Sequence, residues 1–151
     1  MLIKTIGASL ALFAAMIAVA PVQAETHAYE AGQVWTYQTA AGDEGSLVRI
    51  QEVDQIGPDD DPMIVVHISM IGVAIPGQPD PLEIGHLPVS RETLDASVTQ
   101  QIESEAVFPD YREGVQIWKD AEGGVFTITL AEIAEFLREQ MAPRLRHQPK
   151  N

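Results

Sequence analysis

Three histidines, His27, His67 and His86, are the residues of this chain whose chemistry best suits a binding or catalytic site. Imidazole nitrogens bind zinc and copper, and the ring titrates near neutral pH. A zinc site needs about three converging ligands, so His67 and His86 are candidate metal ligands if the fold brings them together. His86 is also a candidate ligand-binding residue, because it ends a segment rich in proline and glycine that is typical of an exposed loop. His27 lies near the N-terminus, where we expect a disordered segment.

Four aromatic residues form a second set of candidates for contact with a ligand or partner. Trp35 and Tyr37 lie on one side of a predicted strand, and Tyr111 and Trp118 lie on one face of a predicted helix. Aromatic side chains contribute strongly both to cores and to interfaces. The two alternatives are therefore core packing, which must account for most of the nine aromatics, and an exposed patch that binds a partner.

No arrangement of residues predicts catalysis, and we assign no catalytic residue. The sequence has no GxSxG, HExxH, P-loop or GxGxxG motif. Ser90 and His86 are the nearest Ser/His pair, but Ser90 is better explained as a helix N-cap. Glu103 and Glu105 point apart at a spacing of two residues, and Asp59–Asp61 lacks the spacing of an EF-hand. We therefore expect a noncatalytic protein.

Composition excludes several classes of protein. The 151 residues include no cysteine, which rules out a disulfide framework and thiol chemistry. Acidic side chains number 22 against nine basic ones, a formal net charge of −13, so we expect no nucleic-acid partner. A hydrophobic fraction of 46% is too high for intrinsic disorder, and the length suits one small domain.

Residues 1–24 have the pattern of a cleavable signal peptide. Lys4 precedes an apolar stretch over residues 6–20, and small residues follow at Val22-Gln23-Ala24. The alternative is an uncleaved membrane anchor, but about fifteen apolar residues fall short of the roughly 20 that span a bilayer. We expect cleavage after Ala24 and no stable membrane insertion afterwards.

Export would follow the general secretory route and place the protein in the periplasm or outside the cell. The signal lacks a twin-arginine pair, so we expect no preloaded cofactor. Loss of Lys4 leaves eight basic and 22 acidic side chains, a formal charge of −14. The mature chain is predicted to form one domain over residues 25–143, followed by a basic disordered tail over residues 144–151.

Hydrophobic periodicity predicts an α+β fold: a mainly antiparallel sheet with two or three helices packed on one face. The sheet would contain a three-strand meander and one short strand. A long loop is predicted where prolines and glycines are dense, over residues 76–88. The predicted strands are 32–39, 46–53, 63–75 and 125–128, and the predicted helices are 91–102, 111–118 and 130–143.

Three segments carry a family resemblance, namely Gly32 to Tyr37, His86 to Val98 and Gly123 to Phe126. Together they resemble a family of small exported bacterial proteins of unknown function. The resemblance implies a single domain, and it implies no activity or site residue.

Two functions from different classes fit these observations. The first is an exported acidic protein that binds a basic envelope protein, in the manner of an inhibitor or immunity protein, because complementary charge steers association. The alternative is a periplasmic module that binds a small ligand or a metal through His67, His86 and nearby acids.

Overall fold

Five strands form an antiparallel sheet in which the last strand in the chain pairs with the first. The structure is a computed structural model, and it describes residues 27–145. The spatial order of the strands is β4-β3-β2-β1-β5. The strands are β1 (Val34–Tyr37), β2 (Leu47–Ile56), β3 (Met63–Val73), β4 (Leu82–Ser90) and β5 (Val98–Ile102), and the helices within this range are α1 (Arg91–Ser97), α2 (Arg112–Asp120) and α3 (Leu130–Leu145). The predicted α+β class with an antiparallel sheet is confirmed.

One face of the sheet carries the hydrophobic core. Successive side chains of a strand point to opposite faces, and alternate residues Val66, Ile68 and Met70 of β3 are fully buried on this face. They belong to one cluster with Leu94 of α1 and Ile133 of α3, so these two helices cover this face. The remaining buried members of the cluster are Trp35, Tyr37, Val48, Ile50, Val73, Leu87, Val89, Leu130 and Ala134.

Helix α2 lies against the opposite face. His67 stands between two core residues of β3, so alternation turns its side chain away from the core. Its ring centroid lies 4.9 Å from that of Trp118, which belongs to α2. Two helices therefore share the core face, and the third covers a layer of polar side chains.

Helix capping follows the sequence closely. Ser90 is the N-cap of α1, since its Oγ accepts a hydrogen bond from the Thr93 amide at 3.1 Å. At the start of α3 the predicted capping box is present: the Thr129 amide donates to Glu132 Oε2 at 2.9 Å, and the Glu132 amide donates to Thr129 Oγ1 at 3.3 Å.

Three predicted elements differ from the structure. The proline-rich loop ends at Pro81, because residues 82–90 form β4 at one edge of the sheet. The first helix ends at Ser97, and residues 98–102 form β5 on β1 instead of continuing the helix. The short strand predicted over 125–128 is reduced to a parallel bridge between Val89 and Phe126.

The ends of the chain bear on the predicted domain limits. Helix α3 continues to Leu145, so the first two residues of the predicted basic tail are helical. The predicted signal peptide over 1–24 and the tail from residue 146 lie outside the described residues. Within residues 27–145 no helix is both long and apolar enough to cross a membrane.

Candidate functional site

His67 is the centre of a hydrogen-bonded series of side chains on the polar face of the sheet. Its side chain is 0% exposed. Nε2 of His67 lies 3.2 Å from Oδ2 of Asp54 on β2, and Nδ1 lies 2.8 Å from Nε2 of His86 on β4. A buried polar group without partners is costly, and here both ring nitrogens are paired. We call Asp54, His67 and His86 the imidazole chain.

A β-bulge turns Asp54 toward His67. Ile50 lies opposite Ile68, whereas Glu52 lies opposite His67, so β2 advances two residues while β3 advances one. Strict alternation from the buried Ile50 would place Asp54 on the core face. The extra residue reverses the alternation and brings its carboxylate to the polar face. Bulges re-aim side chains in this way and are common beside functional sites.

A second irregularity lies on the other side of His67, in β4. Met70 pairs with Ile84 and Ile68 pairs with Leu87, so β4 advances three residues while β3 advances two. The shift keeps Ile84 and Leu87 on the core face while His86 between them faces His67. Both strands that flank β3 are thus irregular beside the same buried histidine.

The hydrogen bonds fix which ring nitrogens of the imidazole chain carry protons. The pKa of Asp54 is lowered: burial would raise it, but the Lys119 ammonium and His67 outweigh burial, so Asp54 is an ionised acceptor. Burial lowers the pKa of His67 despite the Asp54 carboxylate. Neutral His67 therefore donates from Nε2 to Asp54 and accepts at Nδ1 from His86 Nε2.

His86 consequently presents an unprotonated Nδ1 at the end of the imidazole chain. Burial, and after it the neighbouring His67, lowers the pKa of His86 from 6.5 to about 4, so this ring is also neutral near pH 7. In residues 27–145 the buried side-chain N and O atoms without a partner are Nε of Arg49 and Nε of Arg91. Nδ1 of His86 makes no hydrogen bond in this range and is not one of them, so this nitrogen is not fully buried.

Lys119 joins the outer end of the imidazole chain to α2. Its Nζ lies 3.2 Å from Oδ2 of Asp54 and 3.6 Å from Oε2 of Glu52. The hydrogen bond with Asp54 raises the pKa of Lys119. One ammonium thus faces two carboxylates, and this group of three side chains keeps an excess negative charge.

Two glycines allow α2 and the turn after it to approach the site closely. A Cβ on Gly114 would lie 2.5 Å from Cβ and 3.1 Å from Nδ1 of His86. A Cβ on Gly123 would lie 2.2 Å from Cδ1 of Trp118, and the Trp118 indole N–H donates to the Gly124 carbonyl at 2.9 Å. These contacts fix the position of the indole ring over His67.

Two open cavities share Trp118 and Gly123 in their linings. The β2 cleft, of about 530 Å³, lies beside Asp54, Lys119 and Glu122. The α2 cleft, of about 570 Å³, lies between β4 and α2 and is lined by His86, Asp110 and Glu113. Both volumes suit a small ligand, and each cleft receives one end of the imidazole chain.

The structure brings together three of the six residues predicted for binding or metal ligation: His67, His86 and Trp118. Trp35 and Tyr37 do not form a binding surface: each is 5% exposed and packs in the core on the other face. Tyr111 is the half-buried N-cap residue of α2 and is outside the residues that line either cleft.

Metal ligation by His67 and His86 lacks a third ligand in the described range. No group of three or more His, Asp or Glu side chains within residues 27–145 is arranged to hold a metal ion. The facing nitrogens of the two rings are hydrogen-bonded to each other at 2.8 Å, so these atoms do not converge on a common point.

His27 also differs from its prediction, since it packs on the domain. Its ring centroid lies 5.0 Å from that of Trp35, and its carbonyl accepts a hydrogen bond from Arg91 Nη2 at 2.7 Å. It lies on the side of the sheet where Trp35 is buried, away from the imidazole chain.

Sequence reasoning missed Asp54, Glu52 and Lys119. A histidine inside an apolar strand signals that a polar partner must be near, but alternation along β2 suggests no partner because the bulge changes its phase. No family model, curated protein or solved structure matches this chain. The resemblance to small exported bacterial proteins therefore stays a prediction.

Proposed function

We propose that this protein is an exported, noncatalytic binding protein that holds a small polar ligand in the clefts beside Trp118. The observation that carries the proposal is the imidazole chain, in which a fully buried histidine orients a second one that lines a cleft and whose Nδ1 makes no hydrogen bond within residues 27–145. Two irregular strands and closely packed glycines are needed to build this arrangement. Strand irregularities of this kind are common beside functional sites.

Binding is favoured over catalysis by the surroundings of His86. Nucleophilic catalysis needs a hydroxyl or thiol beside the base. Among residues 27–145, no serine or threonine hydroxyl forms a hydrogen bond with His86, and the chain has no cysteine. Export rests on the signal pattern of residues 1–24.

A thermal-shift series on the purified full chain tests this proposal. The panel contains small cationic, neutral and anionic compounds and divalent metals. We expect compounds of one of these four classes to raise the melting temperature in a saturable way. His86→Gln should abolish the gain, whereas Gln101→Ala, on exposed β5 at the far edge of the sheet, should retain it. An absence of any saturable shift, or equal losses in both variants, would contradict the proposal.

The acidic surface supports a second candidate, a basic envelope protein as partner. Removal of residues 1–24 leaves a formal charge of −14, and exposed carboxylates such as Asp110 and Glu113 border the α2 cleft. Complementary charge would speed association with a cationic protein. The test is binding of lysine-rich polypeptides at low ionic strength. An absence of binding under these conditions would contradict this candidate.

A further inference from the structure

We infer that the α2 cleft binds a protonated amine or guanidinium group, which donates a hydrogen bond to Nδ1 of His86. The inference rests on the proposed function and names the chemical class of its ligand. It starts from the direction of hydrogen bonding, because the imidazole chain leaves Nδ1 of His86 with a lone pair instead of an N–H. His86 lines the cleft together with Gly114, and a Cβ on Gly114 would lie 3.1 Å from this nitrogen, which places Nδ1 beside the cleft.

The other polar side chains that line the α2 cleft offer no free donor. The Trp118 indole N–H is used by the Gly124 carbonyl, and carboxylates of Asp110 and Glu113 are acceptors. Asp110 accepts from the amide and Nη1 of Arg112 at 3.0 and 3.1 Å. Within residues 27–145 Glu113 takes part in no hydrogen bond or ion pair, so its charge is available to a ligand.

The titratable and charged groups around His86 come from three elements and the segment before α2. His67 of β3 is neutral, and the Glu52 and Asp54 carboxylates of β2 face Lys119 of α2. The cationic Arg112 is 77% exposed and pairs with Asp110. Negative charge exceeds positive charge around the cleft, which favours a cation over an anion.

Apolar surface in the same cleft favours an organic cation over a bare ion. Trp118 lines the cleft, and Ile117 is 61% exposed at its margin. An aromatic ring attracts an ammonium or guanidinium group, and an exposed isoleucine gains from covering by an alkyl chain. A free aliphatic amine and a lysine or arginine side chain of a basic partner share this chemistry.

Calorimetry and NMR on the full chain with 15N-labelled histidine test the inference. The probes are 1,5-diaminopentane, its uncharged analogue 1-pentanol, and a lysine-rich peptide. We expect the diamine or the peptide to bind saturably and to shift the Nδ1 resonance of His86, with 1-pentanol at least about tenfold weaker. Binding of the diamine identifies a free amine as the source, and binding of the peptide alone identifies a basic partner.

Two matched variants separate the cleft from the general charge of the protein. Glu113→Gln removes an exposed carboxylate in the cleft, and Glu83→Gln removes an exposed one on β4 outside it. We expect about tenfold weaker binding for Glu113→Gln and less than about twofold for Glu83→Gln. Because both side chains are exposed, neither substitution threatens the fold.

The other possible outcomes show whether the cation inference fails alone or together with the proposed function. Equal losses in the two variants, or equal binding of 1-pentanol, would overturn the cation inference. Binding of a neutral or anionic compound that shifts the His86 resonance, with no amine binding, would overturn the inference and support the proposed function. No change of the His86 resonance with any compound would overturn both.

Discussion

His67 shows how one buried polar side chain determines its surroundings. Its ring is fully buried, so both nitrogens need partners from the protein, and each of the flanking strands supplies one. Hydrogen bonds are therefore donated from His86 to His67 and from His67 to Asp54. A carboxylate at one cleft thereby sets the tautomer presented at the other.

Loss of the Asp54 carboxylate should destabilise the fold, because Asp54→Ala leaves the His67 Nε2–H buried without a partner. We expect a loss of about 1–3 kcal/mol in the free energy of unfolding, measured by urea denaturation. Glu52→Ala is the matched control, since Glu52 contacts only Lys119 among these groups and should cost less than about 1 kcal/mol. Equal costs for the two variants would show that the His67 hydrogen bond has no special weight.

The free energy of unfolding should fall as the pH is lowered, because His86 binds a proton at a lower pH in the folded protein than in the unfolded chain. The pKa of His86 is about 4 in the folded protein and about 6.5 when the chain is unfolded. Between these values the unfolded chain binds a proton that the folded chain does not, so acidification favours unfolding. Above about pH 6.5 this contribution is fully present. Because the ring is partly exposed, we expect it to amount to about 1–2 kcal/mol.

The measurement is the free energy of unfolding at about pH 7.5 and about pH 5 for the native chain and His86→Gln. Glutamine keeps an amide donor for His67 but does not titrate. Carboxylates contribute to the pH dependence of both proteins, so the difference between them isolates His86. Parallel pH profiles would contradict the assigned depression of this pKa.

At the scale of elements, irregular strands explain why only part of the site was predictable. The order of polar and apolar residues predicted β2 and β3, and it placed His67 inside a strand. It could not pair His67 with Asp54, because the bulge between Ile50 and Glu52 depends on how two strands align. Strand β5 was missed because Val98 and Ile102 also fit a helical spacing, and pairing with β1 decided between the two.

Gly114 illustrates a conflict between helix propensity and packing. Alanine at an interior helix position is ordinarily about 1 kcal/mol more favourable than glycine. Here the added Cβ would lie 2.5 Å from Cβ of His86, so α2 or β4 must move. We expect Gly114→Ala to lower stability by about 1–3 kcal/mol in chemical denaturation. Gly124→Ala, with no atom within 4 Å of its new Cβ, is the control, and a stabilising Gly114→Ala would contradict the close contact.

Helix α3 is held to the sheet by a polar contact as well as by the core. Asp43 is 1% exposed, and its carboxylate accepts from the Ala74 amide at 2.7 Å and from Arg138 Nη2 at 2.5 Å. Asp43→Ala leaves Nη2 of Arg138, whose side chain is only 14% exposed, without its buried carboxylate partner and leaves the Ala74 amide without its acceptor, so we expect a loss of about 3–5 kcal/mol. Glu135→Ala removes the exposed partner of the same arginine and should cost less than about 1 kcal/mol. Urea denaturation of both variants tests the difference.

At the scale of the molecule, the two faces of the sheet have different roles: one carries the core and the other carries the candidate site. The core face gathers the apolar residues of four strands, α1 and α3, and its position followed from hydrophobic periodicity. The polar face gathers the imidazole chain, α2 and the clefts. Its assembly required β4 and α2 to meet across many residues of sequence, which local patterns do not encode.

The excess of acidic side chains should make the folded protein sensitive to salt. A formal charge of −13 over 151 residues disfavours the compact state through self-repulsion, and ions shorten the range of that repulsion to about 10 Å at about 0.1 M. We expect the melting temperature to rise between about 0.01 and about 0.2 M NaCl and then to level off. Sucrose at equal osmolality is the control for preferential exclusion, which continues to stabilise without a plateau. A fall with added NaCl would show that ion pairs such as Lys119 with Asp54 outweigh self-repulsion, and the acidic surface would then be less available to a cationic ligand.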